Sequence, residues 1–307
     1  MSVTSQNFSN TGLAFIGFGE AATAFVQGWD SPDSRAIKAW DIKTDSADAA
    51  VVSSKEADYS EAQITGTRST AEALDGAGII FSLVTADQAG IAAAAAAQHI
   101  LPQSFYFDCN SCAPGSKRKS AELIEAAGGR YVDAAIMAPV YPALHQTPML
   151  FSGPHTEAAL EVARHLDMKA SHAPGDVGTA SSIKMVRSIM VKGMEALVLE
   201  TVLSARKAGV EEVVLASLEK TFPGFNWPER AGYMMERVTT HGIRRAAEMR
   251  EVALTVDELG LDGDMSRAIV DWQQRVGDLA IRPGAENENS DYKQRADAIL
   301  ARLIDDN

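Results

Sequence analysis

A glycine-containing turn near the start of the chain constrains the fold more than any other stretch. In the segment FIGFGEAATAF, Gly17, Gly19 and Ala22 form a G-x-G-x-x-A pattern. A short apolar run at 12–17 leads into the pattern, and a helix-forming run at 20–29 follows it. Gly17 would permit a tight turn, and the small Ala22 would allow the helix to pack closely on the strand. The pattern therefore predicts a strand–turn–helix unit.

Apolar runs and helix-forming runs continue to alternate through the first half of the chain. Further strands are predicted at 36–41, 77–85, 104–108, 130–137 and 149–153. Helices are predicted through the alanine run 91–97 and at 113–128 and 156–166. Short strands that alternate with helices indicate βαβ units and a parallel sheet.

The strand signals stop after about residue 178. Helices are predicted at 181–208, 211–221, 228–239, 241–260, 264–279 and 290–304. The sequence therefore predicts an α/β protein, with an N-terminal Rossmann-type parallel-sheet domain at 1–178 and an all-α C-terminal domain at 179–307.

The turn also fits a dinucleotide. Gly19 would let a pyrophosphate approach the backbone, where the N–H groups that open the helix can bind it. Asp41, at the end of the next predicted strand, could accept hydrogen bonds from both ribose hydroxyls and would repel a 2′-phosphate. This favours NAD, although Lys43 leaves NADP open. The predicted cofactor-binding residues are Gly17, Phe18, Gly19, Glu20, Ala21, Asp41, Val84 and Thr85.

Charge and composition exclude several classes of function. The formal net charge of the 307-residue chain is −13, which argues against nucleic acid as a partner, because phosphate backbones need a basic face. No apolar run reaches membrane-spanning length and no secretory signal is evident, so we expect a cytoplasmic protein. Cys109 and Cys112 lack the further ligands that a structural zinc site needs, so no metal is predicted.

One lysine is placed unusually. In GDVGTASSIKMVRS, Lys184 follows a run of glycine, alanine and serine and has no acidic residue one helical turn away. Small neighbours would let a substrate and a cofactor approach its amine, and a partly desolvated lysine is a useful acid–base group. Ser188, one turn further on, would share its face. The alternative is a lysine that extends into solvent.

Taken in order, these motifs resemble the β-hydroxyacid dehydrogenase superfamily, which includes 6-phosphogluconate and 3-hydroxyisobutyrate dehydrogenases. DCNSCAP at 108–114 is similar to the family's D-x-S-T-x-S-P substrate loop, and GDVGTASSIK at 175–184 to its lysine motif. The basic stretch THGIRRAAEMREVA at 240–253 lies where the family carries a substrate-binding lysine. The C-terminal half resembles a less characterised subgroup with a 6-phosphogluconate-dehydrogenase-like domain.

The resemblance implies hydride transfer between a nicotinamide and a small hydroxy acid or related alcohol, with Lys184 as the acid–base residue. It implies a homodimer through the helical domain. The implied substrate-binding residues are Asn110, Ser111, Ser188, His241, Arg244 and Arg245. The two arginines and His241 would balance a negative charge, or else Glu248 and Glu251 neutralise the arginines on a solvated helix face.

Several residues depart from the family pattern. Asn110 replaces a serine of the substrate loop, and Ser188 replaces an asparagine. Met137, Ala138 and Pro139 stand where the family has Ser-Gly-Gly, and proline removes a backbone donor. Two other functions therefore stay open: imine reduction on the same two-domain plan, and a non-catalytic NAD-binding sensor.

Overall fold

The computed structural model describes residues 11–29, 37–281 and 291–305. Ala36 and Ser290, the first residues of two predicted elements, lie outside the described residues. The chain divides into two compact units, Met1–Lys184 and Met185–Asn307.

The first unit is built on an eight-stranded sheet. Its strands are β1 (Gly12–Ile16), β2 (Ile37–Trp40), β3 (Thr65–Gly66), β4 (Ala77–Ser82), β5 (Phe105–Asp108), β6 (Arg130–Ile136), β7 (Met149–Ser152) and β8 (Ala170–His172). Their order is β3-β2-β1-β4-β5-β6-β7-β8. Every neighbouring pair is parallel except β6 and β7, which pair antiparallel. The Rossmann-type α/β prediction is confirmed, but the prediction of a wholly parallel sheet was wrong, because β7, with β8 parallel to it, runs opposite to the other strands.

Helices pack on the sheet of this unit. They are α1 (Glu20–Gly28), α2 (Ala49–Glu61), α3 (Thr70–Leu74), α4 (Ala89–Ala97), α5 (Pro114–Ala126) and α6 (Thr156–His165). Alternate strand residues enter two different cores. Phe15 and Phe81 belong to one core, whereas Ile16 and Ile80 belong to the other. Both faces of the sheet are therefore buried, as in parallel sheets generally.

Among the described residues of this unit, two α-helices and two strands were not predicted. Helix α2 contains polar and apolar residues in near balance, and its apolar residues are only weakly concentrated on one face. Its sequence therefore lacks the 3.6-residue hydrophobic repeat that indicates a helix. Helix α3 has five residues, β3 has two and β8 has three. Elements this short carry no detectable repeat.

The second unit is helical. Helix α7 (Thr179–Ala208) begins in the first unit and continues into the second, which also contains α8 (Glu211–Thr221), α9 (Trp227–Glu258), α10 (Asp264–Asp278) and α11 (Tyr292–Asp305). Its largest core includes Leu199, Val202, Met235 and Val276.

The prediction of two helices at 228–239 and 241–260 was wrong, because α9 is continuous through this region. The Thr239 hydroxyl donates to the carbonyl oxygens of Met235 and Glu236, so this residue is accommodated within the helix. Gly242 does not break α9 but faces α10. A Cβ added to Gly242 would lie 2.5 Å from the carbonyl oxygen of Gln273.

Candidate functional site

The glycine turn joins β1 to α1 as predicted, and its two glycines contribute to it in different ways. Gly17 has φ +83°, and an added Cβ would lie 2.5 Å from the Leu83 carbonyl oxygen. Gly19 caps the N-terminus of α1, and an added Cβ would meet no atom within 4 Å. The start of α1 at Glu20 and Ala21 therefore lies beside open space, with backbone N–H groups that have no partner within the helix. This arrangement fits a pyrophosphate.

Asp41 fixes the turn from the end of β2. One carboxylate oxygen accepts a hydrogen bond from the Phe18 N–H at 2.8 Å, and the other accepts from the Lys43 N–H at 2.9 Å. A carboxylate has about four acceptor positions, so capacity for ribose hydroxyls remains. The Phe18 side chain is fully buried and its N–H donates to Asp41, so this predicted cofactor-binding residue helps to hold the turn in place.

Sequence reasoning missed a lysine that supports the same turn. Lys55, in α2, is only 5% exposed. Its ammonium donates to the Phe18 carbonyl oxygen at 2.6 Å and pairs with Asp58 at 2.5 Å. Lys55 could have been found from the sequence only if helix α2 had been predicted.

Asn110 lies in the loop at 108–114 that resembles the family's substrate loop, and both ends of its side-chain amide are hydrogen-bonded. Its side-chain oxygen accepts from the Val84 N–H at 2.7 Å. Its amide nitrogen donates to Ser82 Oγ at 2.9 Å and to Asp108 Oδ1 at 2.7 Å. Asn110 is 4% exposed and fastens the loop after β5 to the end of β4. Thr85, the next predicted residue on that edge, is exposed.

Lys184 meets the loop directly. Its Nζ donates to Ser111 Oγ at 2.7 Å, and both residues are half-buried. The structure thus brings together two predicted residues separated by 73 positions. A lysine beside a hydroxyl can give a proton to a bound oxygen atom when it is charged and accept one when it is neutral.

Asp133, in the middle of β6, holds the first turn of α7. One carboxylate oxygen accepts from the N–H groups of Gly178 and Ser181 at 3.0 and 3.1 Å. The other accepts from the Ser181 hydroxyl at 2.5 Å. A carboxylate at a helix N-terminus is favourable, because it meets N–H groups that lack partners and the positive end of the helix dipole.

The predicted residues of the second unit lie in the α9 cluster, which we define as Ser188, Lys192, Glu195, His241, Arg244, Arg245, Glu248 and Gln273. Arg245 is 8% exposed and forms an ion pair with the buried Glu195. Arg244 pairs with Glu248 at 2.6 Å. Arg244 is therefore neutralised by a glutamate of its own helix, which was the alternative to substrate binding. Arg245 is neutralised by Glu195, a partner that the sequence did not indicate.

Ser188 and Lys192 of the α9 cluster also have partners within it. The hydroxyl of Ser188, 6% exposed, accepts from Lys192 Nζ at 3.2 Å. Lys192 also pairs with Glu248 at 3.0 Å. Burial, together with the positive charges of Arg237, Arg244 and Arg245, lowers the pKa of His241 below its ordinary value. His241 is therefore disposed to be neutral near pH 7.

The two cysteines are buried thiols. Burial raises the pKa of Cys109 to about 12, which makes the reactive thiolate scarce. Within the described residues, no group of three or more histidine, cysteine, aspartate or glutamate side chains is arranged to hold a metal ion. The helices of the same residues include none with the length and apolar character of a membrane span.

Two family models match the chain. The model described as the NAD binding domain of 6-phosphogluconate dehydrogenase matches residues 12–178, more than half of the chain. A second model, a domain of unknown function, matches residues 205–276.

Solved structures with the same fold cover almost all of the chain. A conserved hypothetical protein from Sinorhizobium meliloti is 33% identical with a TM-score of 0.75, over 98% of this chain and 100% of that chain. The 3-hydroxyisobutyrate dehydrogenase of Mycobacterium tuberculosis, solved with L-serine, is 15% identical with a TM-score of 0.64, over 94% and 99%. An imine reductase from Aspergillus terreus, solved with NADPH4 and dibenz[c,e]azepine, is 18% identical with a TM-score of 0.54, over 88% and 95%.

A curated relative matches over a shorter stretch. An uncharacterised 28.5 kDa protein of Methanothermus fervidus is 29% identical over 119 residues, or 39% of this chain, and the match spans 45% of that protein. The family model over residues 12–178 and the near-complete match at 33% identity are the stronger findings. With the glycine turn, the substrate loop and the lysine helix in the expected order, the chain belongs to the β-hydroxyacid dehydrogenase superfamily and carries the NAD binding domain of 6-phosphogluconate dehydrogenase.

Proposed function

We propose that this protein is an NAD(P)-dependent oxidoreductase that transfers a hydride between a nicotinamide cofactor and a small hydroxy acid or related alcohol. The observation that carries the proposal is the 2.7 Å hydrogen bond from Lys184 Nζ to Ser111 Oγ. Ser111 belongs to the loop that Asn110 ties to the end of β4, next to the glycine turn in strand order. Ligands of open α/β sheets bind beyond the carboxyl ends of such strands.

The cofactor would be held by the turn and by the strand ends. When bound, it supplies or accepts the hydride. The N–H groups at Glu20 and Ala21 would bind the pyrophosphate, Asp41 the ribose hydroxyls, and Val84 with Thr85 the nicotinamide end. NAD is the first choice because the Asp41 carboxylate would repel a 2′-phosphate, and the exposed Lys43 leaves NADP as the second.

Lys184 would carry the proton. During oxidation its Nζ would accept the proton of the substrate hydroxyl, and during reduction it would return a proton to the carbonyl oxygen. Because Ser111 Oγ accepts a hydrogen bond from Lys184, its own hydroxyl hydrogen remains available for the substrate oxygen. Asn110 would position this loop rather than bind the substrate itself.

The roles of the helical residues follow from the same proposal. Residues 1–178 would bind the dinucleotide, and residues 179–307 would bind the substrate through Ser188 and His241 and form a homodimer, while Arg244 and Arg245 stay paired with Glu248 and Glu195. Exposed apolar side chains on one side of α7, at Val186, Met190 and Leu197, support the pairing of two copies. We expect this enzyme to act in the cytoplasm.

Imine reduction is the second candidate, and the loop after β6 favours it. In this loop Pro139 has no N–H, and the Met137 N–H already donates to the Pro148 carbonyl oxygen at 2.9 Å. Two of the three backbone nitrogens at residues 137–139 are therefore not available for a substrate carboxylate. A substrate without a carboxylate, such as a cyclic imine, would not need them.

The first experiment separates these functions. NADH and NADPH binding is titrated by fluorescence, and the protein is then assayed against panels of hydroxy acids, simple alcohols and cyclic imines. The variant Lys184→Met is compared with Lys119→Met, which removes an exposed lysine of α5. For a hydroxy acid substrate, loss of the acid–base group should lower kcat by about 10²–10⁴-fold while the control keeps full activity.

Each result supports one function. A kcat in Lys184→Met equal to that of wild type would reject the acid–base role of this residue. Turnover of cyclic imines that survives the substitution would identify an imine reductase. Cofactor binding without turnover on any panel would identify the non-catalytic sensor.

A further inference from the structure

A lysine of α5 lies completely buried beneath the loop and helix that carry Ser111 and Lys184. Lys117 is 0% exposed. Its Nζ donates to the carbonyl oxygen of Asp108 at 2.6 Å and to Asp108 Oδ1 at 2.9 Å, and it lies 3.7 Å from Asp133 Oδ1. A buried ammonium is costly unless it is paired, and Lys117 is paired with two carboxylates.

The first of these carboxylates organises the substrate loop. Asp108 Oδ1 accepts hydrogen bonds from the Asn110 backbone N–H at 3.1 Å and from its side-chain amide at 2.7 Å. Asp108 Oδ2 accepts from the Tyr131 hydroxyl at 2.6 Å. Ser111 directly follows Asn110 in the sequence. The orientation of the Asp108 carboxylate, which binds Asn110, therefore determines where the Ser111 hydroxyl lies.

The second carboxylate organises the lysine helix. Asp133 binds the N–H groups of Gly178 and Ser181 and the Ser181 hydroxyl, which together fix the first turn of α7. Lys184 lies less than one turn after Ser181. The position of Asp133 therefore determines where the Lys184 side chain begins.

The electrostatics keep Lys117 charged. Burial alone would lower its pKa, but the negative charges of Asp108 and Asp133 outweigh burial and hold the pKa above its ordinary value. The three side chains carry one positive and two negative charges. Without the ammonium, two carboxylates would remain buried together and repel each other.

We infer that Lys117 is a positioning residue that sets the distance between Ser111 Oγ and Lys184 Nζ by binding Asp108 and Asp133 at the same time. The Lys117 ammonium is enclosed by protein and touches no reacting atom. Its consequence for catalysis rests on the proposed function, because a displacement of about 1 Å between reacting groups can cost about 10²-fold in rate. The effect of Lys117 on the contact between Ser111 and Lys184 does not depend on the proposed function.

The test therefore begins with a measurement that needs no activity. Wild type, Lys117→Met and the control Lys119→Met are treated with a limiting amount of acetic anhydride. The acetylation of Lys184 is then measured by peptide mass spectrometry relative to the exposed Lys207. In Lys117→Met we expect Lys184 to react about tenfold faster, the factor that corresponds to loss of one hydrogen bond to a charged group. Lys119→Met should match wild type.

Kinetics supply the second measurement. Lys117→Met should lower kcat by about 10²-fold while the dissociation constant for NADH changes by less than about twofold, because the glycine turn and Asp41 belong to other elements. If Lys117→Met does not fold, the double variant Lys117→Met/Asp108→Asn replaces it, since it keeps the net charge of the three positions at that of wild type. In the folded double variant, fast acetylation of Lys184 supports the inference.

Two outcomes would overturn the inference. A folded variant that is less stable but shows wild-type acetylation of Lys184 and a wild-type kcat would reduce Lys117 to a structural role. A double variant that folds and keeps slow acetylation would do the same. If wild type turns over nothing on the substrate panels, the proposed function fails, while the acetylation result still decides the role of Lys117.

Discussion

The end of the sheet in the first unit and the α9 cluster in the second both contain predicted binding residues, but the two regions engage these residues differently. In the first unit Ser111 and Lys184 meet each other, and the carboxylates and amide around them hold backbone groups in place. In the α9 cluster the predicted cations are joined to carboxylates, Arg245 to Glu195 and Arg244 to Glu248. The first region leaves Ser111 and Lys184 partly exposed, whereas the second neutralises its charges internally.

The difference lies in the local structure. Residues that follow parallel strands converge at one edge of a sheet, so residues far apart in sequence come together with their side chains directed away from the strands. Residues on a long helix are spread around its axis, and a basic stretch there meets whatever the neighbouring helices present. Spacing motifs are therefore more informative in strand–helix turns than along a helix.

The strongest test of this comparison is to remove Arg245, a buried cation of the α9 cluster. Arg245→Met should lower the free energy of unfolding by about 3–5 kcal/mol, because it leaves Glu195 buried without its main partner. Burial already raises the pKa of Glu195 even with Arg245 present. Urea denaturation would measure the change, with Arg244→Met as the matched control at about 0.5 kcal/mol or less.

Two further results bear on Arg245. The double variant Arg245→Met/Glu195→Met should recover most of the lost stability, since no unpaired charge remains. If Arg245→Met is as stable as wild type and instead raises KM, Arg245 binds substrate and the contrast between the two regions disappears.

A second prediction sharpens the distinction within the substrate loop. Ser111→Ala should lower kcat by about 10–100-fold, the range for loss of a hydrogen bond to a charged group, and should change the free energy of unfolding by less than about 0.5 kcal/mol. Asn110→Ala should instead destabilise the protein by about 1–3 kcal/mol, because the Val84 N–H loses its acceptor. Steady-state kinetics and urea denaturation of both variants check this. Equal losses of stability would show that the two residues act alike.

The smallest expected effect concerns pH. The pKa of His241 is lowered in the folded protein, so its contribution to stability is complete above the unfolded value of about 6.5 and is lost as the pH falls. The free energy of unfolding of wild type should therefore fall more steeply between about pH 7 and pH 5.5 than that of His241→Asn. The control is His99→Asn, at an exposed histidine of the first unit. Parallel curves for wild type and His241→Asn would contradict the prediction.

The sequence predicted the parts of the fold whose patterns are local. The glycine turn, the alternation of apolar runs and the end of each long helix follow from residue type and spacing, and β1, α1, α8 and α10 lie within a residue or two of their predicted bounds. Helix α2 and the strands β3 and β8 were missed because they are polar or very short. The antiparallel direction of β7 depends on pairing across the sheet, which no local pattern reports.

The candidate site divides in the same way. Lys184 and Ser111 were predicted from motifs, and the structure brings them into contact. The partners that fix them were not predicted. Lys117 reads as an ordinary surface lysine in KRK, and its burial depends on where α5 packs against Asp108 and Asp133. Lys55 and Glu195 were missed for the same reason, since pairing of buried charges is a property of tertiary packing.

The approach of α9 to α10 at two glycines has a consequence for how this protein can vary. A Cβ on Gly242 would strike the main chain of α10, and one on Gly277 would lie 2.6 Å from the Ile243 nitrogen. Rotamer changes cannot relieve either collision, because the obstacle is backbone on both sides. In a saturation library both sites should therefore tolerate no replacement, even alanine, while neighbouring surface positions on the same helices accept many. Glycine at both positions in a distant homologue would therefore indicate that the homologue keeps this close crossing of α9 and α10.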